Sequence, residues 1–484
     1  MFHGLSKSRL MMFRQCQKRL WLYVHRPDLQ EISEETEQRF EIGFQVGDIA
    51  RSLYPNGLLI EGEDLVEALE LTRLALAEQP ERPLFEAAFQ RDNVLIRADV
   101  LLPEYGGYRL REVKASTRVK DEYYADCAIQ SWVASASVKL TGVELAHVDN
   151  TFVYPGSGDY RGLLKPNALD ADIAGLLSDV PGWIAEARAT LAGLEPDIKT
   201  GNHCHTPYNC PFQSYCTRDE KQTDYPLNCL PHLSGRRLQG LVDLGIEDVK
   251  HIPDDYSLTE KQALVARVIK SGCAERNPAV ATIMSHFAYP RYYLDFETTQ
   301  VAVPIWAETR PYQQLLTQWS CHIETAAHEL QHHEFLASGA DDPRRAFAET
   351  LIAALGNAGP VFVYNQSFEK GRLRELAKVY PDLEATIEAI VARMVDLLPL
   401  VRQHYCHPGM KGSWSLKAVL PTVAPELGYD ELAISDGLAA SGAWRELYHP
   451  KTTDERRVQL YATLPDYCAR DTLALVRLAA FLSG

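Results

Sequence analysis

The chain predicts an α/β protein of two or three domains, on three observations. Two apolar runs, Val94 to Leu102 and Tyr108 to Val113, flank a polar bend holding Gly106 and Gly107, the pattern of a β-hairpin, and a helical stretch from Tyr123 to Val138 follows. Farther on, a buried-strand run, Tyr292 to Thr298, and a second strand, Val361 to Tyr364, lead into helical sequence, and Asp466 to Leu482 is an amphipathic helix. At 484 residues the chain is also too long for a single core.

Composition narrows the class. With 46% hydrophobic and 24% charged residues this is an ordinary globular composition. No apolar run reaches membrane-spanning length and no secretory signal is visible, so the expectation is a soluble, cytoplasmic protein with no membrane partner. The stretch up to Pro27 carries six Lys or Arg and no acid, and is expected to fold as a helix. A net charge of −16 argues against a protein that coats nucleic acid nonspecifically, but metal-binding carboxylates add negative charge and leave nuclease chemistry open. Ten cysteines in a reducing compartment favour metal or cluster ligation over disulfides.

In the hairpin, Glu112 and Lys114 are two apart and share one strand face, with Asp99 on the partner strand opposite them. Two carboxylates and an ammonium converging there suit a hydrated Mg²⁺ and a phosphate: the acids hold the metal and the lysine orients or polarises a water. The competing interpretation is a solvated surface hairpin. Asp99, Glu112-Val113-Lys114 and the later Gln130 resemble, in that order, the PD-(D/E)XK nucleases of the RecB type, with Ala98 where the family pattern has Pro. The resemblance implies a restriction-endonuclease-like fold with Asp99, Glu112, Lys114 and Gln130 in its active site. Glu86, on an expected first strand, is similar to an additional acidic position of some relatives.

Upstream, Leu5 to Val24 predicts a helix with Ser6 as its cap and Leu10, Phe13, Cys16 and Leu20 on one face, and with Lys7, Arg9, Arg14, Lys18 and Arg19 around it, available for phosphates. Downstream, Cys204, Cys210 and Cys216 follow one another with five intervening residues each in a Pro-rich loop. Zinc sites usually offer closer pairs, whereas three thiolates in a loop plus one distant Cys suit a cubane cluster; zinc and unligated thiols are the alternatives. The arrangement, together with Ser6, Ser8, Arg9, Leu10, Phe13 and Cys16, resembles the iron–sulfur RecB-type nucleases, including AddB-like helicase-nucleases and CRISPR adaptation nucleases. It implies a structural [4Fe–4S] cluster on Cys16, Cys204, Cys210 and Cys216. The other cysteines, Cys468 among them, read as core or surface thiols.

Residues 217–290 predict a helical connector with a Thr259/Gln262 capping box, and Leu238 to Pro253 is weakly similar to a helix-hairpin-helix element. Beyond it, Asp295 and Glu297 share a strand face, Asn365, Phe368 and Glu369 stand at a helix entry, and Tyr467 and Asp471 project from one side of the last helix. Four carboxylates so gathered can hold a pair of Mg²⁺ or Mn²⁺ ions, with Tyr467 orienting a water. The order D-x-E, N-x₂-F-acid, Y-x₃-D resembles the DnaQ-like 3′–5′ exonucleases of the RNase H superfamily, with Glu369 where Asp is commoner; Asp396 and Gly412 to Pro421 match flanking fold positions.

The expected organisation is therefore 1–216, an iron–sulfur PD-(D/E)XK domain; 217–290, the connector; and 291–484, a DnaQ-like exonuclease domain. As a whole, the chain resembles bacterial RecB-like nucleases fused to an exonuclease domain of unknown function. The resemblance implies a two-site, metal-dependent nuclease acting on single-stranded DNA ends in repair or defence, with a helicase or repair partner unidentified. Alternatives are an RNA 3′–5′ exonuclease with a non-cleaving N-terminal clamp, and an inactive nucleic-acid-binding adaptor.

Overall fold

The computed structural model describes residues 4–62, 64–220, 223–337, 341–428, 432, 434, 436–449 and 451–484. The fold is mixed α/β and divides into two compact units, Met1–Glu220 with Val301–Gln313, and Lys221–Gln300 with Gln314–Gly484. No helix among the described residues is long and apolar enough to cross a membrane.

In the first unit a seven-stranded sheet runs in the order Leu58–Leu59, Leu84–Arg91, Val94–Glu104, Gly107–Lys114, Leu140–Val148, Leu164–Ala168, with Leu5–Ser6 pairing parallel to the start of Val94–Glu104. Alternation places Val94, Ile96, Ala98 and Val100 in the interior, and Gly106, at φ +87°, supplies the left-handed residue of the expected hairpin. The hairpin ladder ends at Val100 opposite Arg111. Beyond that pair Asp99 replaces a backbone partner with its side chain, Oδ2 accepting from Val113 N at 2.7 Å. The helix Asp121–Ala134 lies on this sheet and is buried along most of its length.

The N-terminal segment differs from expectation. Two helices, Lys7–Gln15 and Gln17–His25, replace the single predicted one, and Cys16 stands between them in extended conformation, φ −163° and ψ 123°. Its thiol therefore projects from a break, free of the helical face that Leu10, Phe13 and Leu20 bury.

In the second unit five strands are ordered Leu330–Leu336, Leu315–Glu324, Arg291–Thr299, Val361–Val363, Met394–Asp396. The central strand pairs antiparallel with Leu315–Glu324 and parallel with Val361–Val363, and the C-terminal helix Asp454–Ser483 packs across it. Most of the segment expected as a connector belongs to this unit: Leu241, Val249, Ile252, Val265, Ile269 and Val280 share one apolar core with Leu475, Leu478 and Leu482. Apolar burial, invisible in a stretch of short helical signals, joins it to the C-terminal sheet. The capping box of Glu260–Ser271 is present with both reciprocal bonds. The weak hairpin element is one helix, Gly235–Asp243, followed by a single 3₁₀ turn, Val249–His251. Residues Val301–Gln313 belong to the first unit, where Tyr154 N donates to Thr309 O and Glu308 N to Tyr154 O, each at 2.9 Å.

Candidate active sites and a four-thiol cleft

In the first unit Asp99, Glu112, Lys114 and Gln130 converge, and two residues outside the expected set join them. Glu112, 1% exposed, accepts from Lys114 Nζ at 2.5 Å and Lys7 Nζ at 2.9 Å on Oε1, and from Gln130 Nε2 at 2.5 Å on Oε2. Asp126 accepts from Lys114 Nζ at 2.8 Å and Gln130 Nε2 at 2.9 Å, and lies 3.2 Å from Lys7 Nζ. Strand pairing of Leu5–Ser6 delivers Lys7 here, and Ser6 Oγ caps its helix by accepting from Arg9 N.

The electrostatics follow from crowding charges in a dry place. Burial, reinforced by the charge on Glu112, pushes the Asp99 carboxyl up to about 8 against the pull of Lys7 and Lys114. Burial alone would raise Asp126 and lower both lysines; mutual attraction outweighs it, holding Asp126 below the usual carboxylate range and Lys7 and Lys114 above the ordinary lysine value. Glu86 sits in the neighbouring strand at φ +55°, a left-handed conformation that costs a non-glycine residue roughly 1 kcal/mol or more. Its carboxyl is raised by burial, and the charges of Glu112 and Lys7 act on it.

The four predicted cysteines line one cleft with Lys18, Arg19, Leu22 and Phe212. Gln15, at the end of the first helix, anchors the loop: Nε2 donates to His203 O at 2.8 Å and Tyr208 O at 2.6 Å, while Arg19 donates to Gln15 Oε1. Burial raises the Cys210 and Cys216 thiols, and Arg19 and Lys18 respectively oppose it. Among the described residues the sole set of three His, Cys, Asp or Glu donors lying within 4.8 Å of one another is Asp295, Glu297 and Cys468, so no three of the cleft thiols are that close.

In the second unit Asp295 and Glu297 stand on the central strand, Glu369 on the helix Ser367–Val379, and Tyr467 and Asp471 on the C-terminal helix. Burial first, then Asp471, Glu297 and Glu369, raise Asp295 well above the usual carboxylate range. Glu297 is pushed up to about 8 by burial and Asp471, against Lys417, and Glu369 to about 8 by burial. Glu369 is 2% exposed, and its Oε2 has no hydrogen-bond partner among the described residues. Asp396 caps backbone: it accepts from Asn365 N at 2.9 Å, Gln366 N at 3.1 Å and Leu398 N at 2.9 Å, holding Asn365 at φ +74° at the entry of the Glu369 helix.

Four residues had escaped assignment to these sites. Lys7 read as one of several basic residues around a helix, and Asp126 had a signal only in lying four before Gln130 on an apolar helix. Cys468 follows Tyr467 directly, yet a lone thiol is indistinguishable from a core residue in sequence. Lys417, in the Gly412 to Pro421 stretch that matched a flanking fold position, acts electrostatically on Glu297 and lies over the Tyr467 ring at 5.4 Å.

Residues 292–415, which hold Asp295, Glu297 and Glu369, match the family described as "Domain of unknown function (DUF2779)". The chain is 25% identical to uncharacterized protein UU173 of Ureaplasma parvum over 226 residues, 42% of this chain and 33% of that one. It is 24% identical to the MG366 homolog of Mycoplasma pneumoniae over 211 residues, 40% of this chain and 32% of that one. The chain thus spans about a third of the length of these relatives. Among solved structures, "Crystal structure of SSO0001" aligns over 38% of this chain and 77% of that chain, at 14% identity and a TM-score of 0.20.

Proposed function

We propose that the protein is a metal-dependent nuclease with two active sites, a RecB-like PD-(D/E)XK site in the first unit and a DnaQ-like 3′–5′ exonuclease site in the second. One observation carries this: Asp295 and Glu297 on a strand, half-buried, stand with Glu369 and Asp471 on two helices, both buried, and burial with neighbouring like charge raises the carboxyls of Asp295, Glu297 and Glu369, a strain that divalent cations would relieve. An orphaned buried carboxylate oxygen on Glu369 and raised carboxyls on its neighbours suit oxygen-loving divalent ions. Asp99 and Glu112, with Asp99 pushed up by burial and then by its neighbour's charge, suit one in the first site.

When bound, Mg²⁺ or Mn²⁺ held by these carboxylates supplies Lewis-acid activation of water and stabilises the leaving oxygen. The protein's own groups do the rest. Lys114, kept protonated beside Asp126 and Glu112, presents an ammonium to a scissile phosphate or its attacking water, and Gln130 fixes the Glu112 carboxylate. In the second site Tyr467 is placed one helical turn from Asp471, where its hydroxyl can orient water. The favoured substrate is single-stranded DNA, whose ends a two-site enzyme trims from more than one approach.

The thiol cleft suits a [4Fe–4S] cluster better than zinc. A tetrahedral zinc with bonds of about 2.3 Å holds its sulfurs under about 4 Å apart, closer than this quartet. Its role is structural, joining residue 16 to residues 204–216 across the sheet's sequence.

The test is cleavage of end-labelled single-stranded DNA and RNA with Mg²⁺ or Mn²⁺ by wild type, Lys114→Ala, Asp295→Ala and the double variant. Each single change is expected to remove one product pattern and the double variant both. Cleavage indifferent to all three sinks the two-site proposal; cleavage of RNA alone, lost in Asp295→Ala, selects the RNA exonuclease, and none on any substrate selects the adaptor.

A further inference from the structure

The second site holds one side chain that hard-ion nuclease chemistry leaves unused. Cys468, fully buried, places Sγ 3.9 Å from Asp295 Oδ2, and the donor atoms of Asp295, Glu297 and Cys468 all fall within 4.8 Å of one another. Beside them stands a second, independent sign of an absent positive partner: Glu369, 2% exposed, acts electrostatically on Asp295, and its Oε2 has no hydrogen-bond partner among the described residues.

Bond lengths say which ion would use the thiol. Mg²⁺ takes oxygen at about 2.0–2.1 Å and has no use for sulfur. A tetrahedral zinc-class ion, with about 2.3 Å to sulfur and 2.0–2.2 Å to oxygen, sets S and O about 3.5 Å apart, a few tenths of an ångström inside the separation present here.

We propose that a thiophilic divalent cation of the zinc class binds this centre through the Cys468 thiolate with Asp295 and Glu297, and by occupying those carboxylates excludes the Mg²⁺ or Mn²⁺ pair and silences the second site. On binding, the S–H bond breaks, the sulfur lone pair passes to the metal and the proton leaves to buffer; no oxidation state changes. The silencing half rests on the exonuclease assignment of this site, whereas the binding half rests on the three donors alone.

Cd²⁺ is the probe, titrated into the full chain purified anaerobically, with thiolate-to-cadmium charge-transfer absorption in the near ultraviolet as the readout. Subtracting the titration of Cys468→Ser, or of Cys468→Ala should the serine variant fold poorly, cancels the other thiols. The expected difference is a saturable band from one thiolate, competed away by excess Mn²⁺ and weakened about 10–100-fold or more in Asp295→Asn. Identical titrations of wild type and both cysteine variants overturn the proposal, as does a band of undiminished affinity in Asp295→Asn. A wild-type protein that shows the band and cleaves nothing defeats the exonuclease assignment and supports the thiol centre.

Discussion

Lys7 Nζ donates to Glu112 Oε1 at 2.9 Å across 105 residues of chain, so the residue that follows the sheet's short Leu5–Ser6 strand completes the charge balance of the first site. Two lysines and Gln130 then answer Glu112 and Asp126, and Asp99 feels the charges of Glu112 and both lysines.

Removing that lysine should be costly and specific. Lys7→Met is expected to destabilise the protein by about 1–3 kcal/mol, because a 1% exposed carboxylate loses a charged donor. Lys7→Met and Glu112→Gln should not add, since each breaks the same contact. Urea unfolding of the two single variants and the double variant measures this; strict additivity would show that the pair does not interact.

Stability should fall as pH rises. Asp99, Glu297 and Glu369 each have a carboxyl pushed up to about 8, so the folded state holds their protons more tightly than the unfolded one. Their stabilisation is complete below about pH 4 and is lost as the pH climbs through about 8. Asp126, kept low by Lys114 and Lys7 despite its burial, acts oppositely, losing its contribution as the pH falls below about 4. Melting in the presence of chelator should therefore be highest in mildly acidic buffer and lower near about pH 8.5, with Mn²⁺ flattening the profile. Asp295→Asn should raise the chelated protein's melting temperature at the alkaline end; a fall there counts against like-charge crowding.

Asp396 is expected to matter for the second site without touching substrate. Asp396→Ala leaves the N–H groups of Asn365, Gln366 and Leu398 without their carboxylate, at a cost of about 1–3 kcal/mol, and loosens the turn that sets Glu369. Asp396→Asn retains an acceptor and should recover part of both stability and exonuclease activity. Equal loss in the two variants would assign Asp396 a direct role in holding metal.

For the cleft, anaerobically prepared protein should be brown with broad visible absorption, and Cys210→Ser should lose it. Stoichiometric zinc without iron rejects the cluster. Gln15→Leu, which keeps the thiols but breaks both bonds to the loop carbonyls, should shorten the lifetime of the colour in air.

The sequence made the two strand-borne motifs legible because strand periodicity is strict: residues two apart share a face, and Glu112 with Lys114, like Asp295 with Glu297, needed nothing more. The turn residue Gly106 and the capping box at Thr259 were equally local signals. What long-range packing decides was hidden. A single helical period ran through Cys16, yet the backbone breaks there, and only burial shows that residues 221–290 share a core with the last helix. Lys7 and Cys468 carried no periodic mark, because each joins its site by tertiary contact, and Asp126 showed only its four-residue spacing from Gln130.

The nine-residue helix Lys7–Gln15 is about 13 Å long and has an occupied grip at either end, Lys7 on Glu112 and Gln15 on the loop of three cysteines. On the proposed assignment it would act as a push-rod: slack in the cysteine loop would reach the first site as a shift of the Lys7 ammonium, although no sheet residue of that site had moved.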